Sequence, residues 1–190
     1  MEKILNRIFD VFLALFFLLL LTPFIFLISF LVKISSNGPI IHWSKRVGKH
    51  GRLFLMPKFR TMLLGTEVIA SNKLINSKKK ITLVGKFLRR LSLDEVLQFY
   101  SVLKGEMSIV GPRPALYNQK YLIKRRRKLG IDKVNPGITG LAQINGRDRI
   151  SINKKIYYDY QYLLNKNFIL DIIIILKTLY IIFDLKKIKH

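Results

Sequence analysis

Residues 11–32 form a run of 22 consecutive residues without a charge, dominated by Leu, Phe and Ile, with Asp10 just before it and Lys33 just after. A membrane helix needs about 20 such residues, so insertion into a bilayer is expected. A secretory signal has a shorter apolar core followed by a small-residue cleavage site, and this segment shows neither. Thr22-Pro23 stands mid-run, where proline removes a backbone hydrogen bond and predicts a kinked helix. Lys3 and Arg7 precede the run, while Lys33, Lys45, Arg46, Lys49 and Arg52 follow it. Cations on both flanks suit a re-entrant helix that enters and leaves by one face, although a straight span satisfies the same counts. Either way, residues 33–190 are expected in the cytoplasm.

Beyond this run the pattern shortens. Residues 35–39, with Asn37-Gly38-Pro39, end the membrane helix. Residues 40–44 and 53–56 flank Val47-Gly48-Lys49-His50-Gly51 and predict a β-hairpin. Residues 64–80 are polar and lysine-rich, as in a surface loop. A helix is predicted over residues 81–90 and a second from Ser92 to about Val102. Val110-Gly111-Pro112-Arg113-Pro114 is neither helix nor central strand, because each proline restricts itself and its predecessor. Residues 117–130 return to helix and carry five consecutive cations, 124–128, which surround the helix and read as a solvated or lipid-facing segment. Asn135-Pro136-Gly137 and Asn145-Gly146 are turn signals. The last 35 residues are helical in pattern, and their apolar part, 168–183, is broken by Asp171 and Lys177. Such a stretch suits the membrane surface or the domain better than a span. The predicted fold class is therefore α+β: a membrane-inserted helix over residues 1–36, then a small, mostly helical domain over residues 37–190 with a β-hairpin and interfacial amphipathic helices.

Charge narrows the class of partner. The 190 residues hold 34 Lys and Arg against 11 acids, for a net charge of +23. A polyanion is implied: nucleic acid, an anionic membrane surface or a phosphorylated small molecule. Without cysteine, disulfides and thiolate chemistry are excluded. His42, His50 and His190 do not group, which argues against a histidine metal site.

Among so few acids, the adjacent Asp94 and Glu95 stand out, flanked by Lys86, Arg89 and Arg90 on one side and Lys104 and Arg113 on the other. Ser92-x-x-Glu95 is also the pattern of a capping box, in which serine and glutamate side chains satisfy each other's amides at a helix start. The pair thus reads as a helix cap, as reactive carboxylates, or as both.

Four short elements decide how the pair is weighed: Lys58-Phe59-Arg60-Thr61-Met62, residues 91–99 around Asp94-Glu95, residues 110–114, and Pro136 to Gly140 leading into Gln143-Ile144-Asn145-Gly146-Arg147. In this order, behind a membrane segment, they resemble the bacterial sugar transferase family, the monotopic polyprenyl-phosphate phosphoglycosyl transferases, in minimal catalytic form. Arg7-Ile8-Phe9-Asp10, Arg46-Val47-Gly48, residues 102–108, Asp159 and Tyr162 extend the likeness over nearly the whole chain.

The resemblance implies a two-step transfer at the cytoplasmic face of the bacterial inner membrane, starting lipid-linked glycan assembly. A UDP-sugar would lose UMP to an enzyme carboxylate, and the sugar phosphate would then pass to polyprenyl phosphate. Asp94 would be the nucleophile and Glu95 its partner, the two acids being the candidate ligands for Mg²⁺. Arg147 and its neighbours would help to hold the nucleotide, and the membrane helix would be re-entrant. Residue chemistry agrees, since a carboxylate forms a reactive acyl phosphate and phosphoryl transfer needs cations around the attacked group. Lys58, Arg60, Arg89 and Arg113 are the candidates for that task. On this reading nucleic acid is not a partner, and homo-oligomerisation stays open. The rival is a membrane-anchored basic nucleic-acid-binding protein without catalysis, which the net charge and the 124–128 cluster would serve equally well.

Overall fold

The computed structural model describes residues 2–66, 80–147 and 149–183. Most of the predicted 64–80 loop lies outside the described residues. Helix α1 covers Glu2–Ser35 and remains helical through Pro23. The Thr22 hydroxyl beside the proline donates to the Leu18 carbonyl at 2.7 Å, one turn back. This is the only described helix long and apolar enough to cross a membrane.

One stripe of α1 packs on the rest of the protein along nearly its full length. Near its start, Arg7 donates to the carbonyls of Val102 and Leu103 at 2.7 and 3.0 Å. Asp10 accepts from the Ile109 amide at 2.9 Å. Ala14, fully buried, joins Met56, Val102, Met107, Ile109, Val110, Tyr162 and Ile174 in the main core. Phe17 stacks on Phe99 with centroids 5.3 Å apart. Towards its end, Ile28 and Val32 join Phe59 and Leu88 in a second core. The opposite stripe, including Ile8, Phe12, Leu19, Phe26 and Phe30, is exposed and predominantly apolar. An exposed apolar face of this extent needs a nonaqueous neighbour.

The hairpin forms as the pattern predicts, with β1 at Ile41–Val47 and β2 at Leu53–Phe59 paired antiparallel. Both strands are longer than the apolar segments that announced them. Next come α2 at Leu83–Arg90, a 3-10 turn at Leu93–Glu95 and α3 at Gln98–Leu103. Thr82 starts α2 by accepting the Gly85 amide on its hydroxyl at 2.9 Å. The chain continues through β3 at Ser108–Val110, β4 at Ala115–Leu116, α4 at Lys120–Lys128, β5 at Gly137–Thr139, α5 at Leu141–Ile144, α6 at Ile152–Asn165 and α7 at Phe168–Phe183. Strand β4 joins the hairpin to give the order β2-β1-β4, and β3 pairs in parallel with β5.

Two expectations change here. No continuous helix starts at Ser92, which instead takes a left-handed conformation, φ 58°, and caps nothing with its side chain. The capping box fails because Glu95 is claimed by long-range cations. The helix predicted over residues 117–130 is shorter, and Arg126 within its cationic run turns inward to Asp159 on α6. For α7, packing on the domain holds through Ile174 in the core, whereas Ile169, Leu176 and Tyr180 are exposed.

Candidate active site

Strand alternation brings the first cation to the acids. Phe59 points into the second core, so its neighbour Lys58 faces the other side of β2, towards the 93–95 turn. There Lys58 Nζ donates to Glu95 Oε1 at 2.6 Å. Arg113, carried between two prolines after β3, donates through Nη1 to Glu95 Oε2 at 3.1 Å and through Nη2 to Oε1. A planar fork meeting both oxygens of a carboxylate is the strong form of this interaction. Glu95 is thereby held by two cations from distant parts of the sequence.

Asp94 has a different environment. It is 8 % exposed and makes no hydrogen bond or ion pair with the described residues. The left-handed Ser92 lets the chain leave α2 and turn at once, setting Asp94 inward instead of on a helix surface. A non-glycine residue in that conformation costs on the order of 1 kcal/mol, a strain that functional turns often carry.

The two carboxyls respond in opposite directions. Burial, and then the negative charge of Glu95, push the Asp94 carboxyl above its ordinary value, against Lys58, Arg89 and Arg113. Burial also acts on Glu95, but Arg113 and Lys58 outweigh it and hold that carboxyl well below the ordinary range. Lys58 is itself pulled down, by burial first and then by the repulsion of Arg113 and Arg46, which together outweigh the attraction of Glu95 and Asp94. The result is a buried, unengaged carboxylate next to a fixed one, within the field of three cations.

The other candidates fall at varying distances from this centre. Arg89 Nε donates to Thr61 Oγ1 at 2.9 Å and contributes to the field at Asp94. Arg147 Nη1 reaches the Ser92 hydroxyl at 3.3 Å, at the edge of the turn. Arg60 is directed elsewhere: its Nη2 donates to the Ser36 carbonyl at 2.6 Å and to the Ser36 hydroxyl at 3.0 Å. It therefore serves the C-terminal end of α1, where a cation complements the helix dipole. Sequence reasoning missed His42, which lies across the hairpin from Lys58 and whose imidazole is lowered by burial and then by Lys58. Hairpin register counted back from the turn would have found it.

Among the described residues no group of three or more His, Asp or Glu side chains forms a metal cage. Magnesium does not need one, since it binds through one or two carboxylates together with substrate phosphates and water. The unengaged oxygens of Asp94 fit that donor set, whereas those of Glu95 are taken by Lys58 and Arg113.

Residues 1–185 match the profile of a family described as bacterial sugar transferase. An exopolysaccharide production protein, ExoY, of Rhizobium meliloti is 38% identical, over 92% of this chain and 83% of its own length. A UDP-glucose:undecaprenyl-phosphate glucose-1-phosphate transferase of Klebsiella pneumoniae is also 38% identical, over 94% of this chain and 40% of its own length. An undecaprenyl-phosphate galactose phosphotransferase of Salmonella typhimurium is 33% identical, over 93% of this chain and 40% of its own length.

Proposed function

For a chain that belongs to the bacterial sugar transferase family, and so is a phosphoglycosyl transferase, we propose transfer of a sugar 1-phosphate from a UDP-sugar to polyprenyl phosphate through an aspartyl phosphosugar. The observation that carries this reading is the contrast at the turn: Asp94 is buried and unengaged beside a Glu95 fixed by Lys58 and Arg113. In the first step an Asp94 oxygen attacks the β-phosphorus of the UDP-sugar. The bond from that phosphorus to the bridging oxygen breaks, and UMP leaves with the electron pair. In the second step an oxygen of polyprenyl phosphate attacks the same phosphorus, the bond to Asp94 breaks, and the carboxylate is restored. The product is a polyprenyl diphosphate sugar.

Arg113 and Lys58 hold Glu95 in the resting arrangement and are placed to take diphosphate oxygens when substrate enters, lowering the charge that the carboxylate must approach. Arg89 adds to the same field. Glu95 keeps these cations oriented until then, and its negative charge raises the basicity of Asp94. Asp94, with Glu95 as the second candidate, would hold Mg²⁺, and the ion would supply further charge neutralisation for the transferred group.

The exposed stripe of α1 lies in the cytoplasmic leaflet of the inner membrane on this reading, joined by the exposed face of α7. Because Arg7 and Val32 both pack on the same domain, we place both ends of α1 at one membrane face. The chain has no cysteine of its own, which makes single-cysteine labelling clean. Lys3→Cys and Lys45→Cys should be labelled from the same face of sealed inverted vesicles; labelling from opposite faces would establish a span.

The activity itself is tested by mixing protein-containing membranes with a panel of UDP-sugars and polyprenyl phosphate. UMP release with at least one sugar, lost on chelation and restored by Mg²⁺, is expected. Salt-sensitive oligonucleotide binding without turnover would instead favour the nucleic-acid reading.

A further inference from the structure

We infer that Arg126 and Arg46 are positioning residues for Arg113, gripping its main chain so that its guanidinium meets the reacting phosphates in a fixed place. The Pro112-Arg113-Pro114 segment cannot hold itself, because its prolines carry no amide donor. Its three consecutive carbonyls are instead held from outside. The Gly137 amide donates to Pro112 O at 3.0 Å. Arg126 Nη1 donates to Arg113 O at 2.8 Å, and Arg46 Nη1 donates to Pro114 O at 3.1 Å. Just upstream, the Gly111 amide donates to Thr139 O at 2.8 Å.

Each of the two arginines has its own orienting partner. Arg126 directs Nε and Nη2 to Asp159 Oδ2 at 3.0 and 2.6 Å, and the Asp159 side chain is 1% exposed. Arg46 Nε donates to the Ser44 hydroxyl at 3.0 Å. A continuous path therefore runs from Asp159 on α6, through Arg126 on α4, to the main chain of Arg113 and on to Glu95. Buried polar groups so fully engaged have little freedom, whereas Arg113 has a long side chain whose reach depends on where its backbone stands. A displacement near 1 Å at such a group typically costs about a hundredfold in rate. The catalytic consequence rests on the proposed function, while the grip itself does not.

Hydrogen–deuterium exchange over residues 109–118 tests the grip in the full chain. Arg126→Gln should make this segment exchange roughly tenfold faster than in the parent protein, and unchanged exchange would overturn the inference. A double-mutant cycle on UMP release tests the consequence. Arg126→Gln should lower kcat/KM by roughly 10–100-fold yet change the residual rate of Arg113→Ala by no more than about twofold. An equal loss in both backgrounds would mean that Arg126 supports the fold generally, and would also overturn it. Should Arg126→Gln not fold, Arg46→Gln removes the Pro114 carbonyl contact from the half-buried hairpin and carries both comparisons. A parent protein that releases no UMP would sink the proposed function, while the exchange experiment still decides the grip.

Discussion

The 93–95 turn and the Arg126–Asp159 contact both bury acids among cations, yet they are built in opposite ways. At Arg126–Asp159 one cation meets one acid, with two donors on a single oxygen and the third group fastened to a carbonyl. At the turn, Lys58, Arg89 and Arg113 surround two acids, and one of those acids makes no hydrogen bond or ion pair with the described residues. A balanced buried pair is complete and belongs to the scaffold. A buried carboxylate without a hydrogen-bonded partner among the described residues, set in the field of three cations, is the arrangement on which the proposed chemistry rests, and the balanced pair offers nothing like it. The contrast also limits what net charge can say, since +23 describes the whole chain and the chemistry depends on a local count.

The comparison breaks most visibly in stability. Asp159→Asn leaves Arg126 charged and buried with a poor acceptor, and should lower unfolding stability by about 3 kcal/mol, as read from denaturant melts. Asp94→Asn should do the reverse. Burial raises both carboxyls, but Asp159 has the Arg126 hydrogen bonds to set against it and Asp94 has no hydrogen-bonded partner among the described residues, so ionising Asp94 opposes folding, a cost fully present above its folded value and lost as pH falls from there towards the ordinary carboxylate value. Removing the charge should therefore raise stability by roughly 1 kcal/mol, as deletions of destabilised active-site groups do. Equal destabilisation by both substitutions would erase the distinction. The smallest effect is in the pH profile of UMP release, whose acid limb should follow ionisation of Asp94. Glu95→Gln deletes a charge that raises the Asp94 carboxyl and frees Lys58 and Arg113 to lower it, so the acid limb should move to lower pH. Movement to higher pH would contradict this assignment.

How far the sequence carried these conclusions depended on range. The membrane helix, the hairpin and the Pro-Arg-Pro loop were legible because each rests on a local pattern: an apolar run, alternating segments around Gly48 and Gly51, and two fixed proline φ angles. The helix start at Ser92 was misread because the capping-box rule weighs only neighbours, whereas Glu95 is drawn away by Lys58 and Arg113, 37 and 18 residues distant. Arg126 was lost in a run of five cations for the same reason, since nothing local separates it from Arg125 and Arg127. Arg60 and Lys58 shared one motif, yet Lys58 reaches the acids and Arg60 reaches Ser36 at the end of α1. The partner of Arg60 becomes visible only once α1 is docked on the domain.

The central claim is that Asp94 is the nucleophile, and UMP release by the Asp94→Asn protein tests it most directly. With UDP-sugar, polyprenyl phosphate and Mg²⁺ all present, and with the variant shown to be folded, the account predicts no release above background. Release at the rate of the parent protein would contradict it.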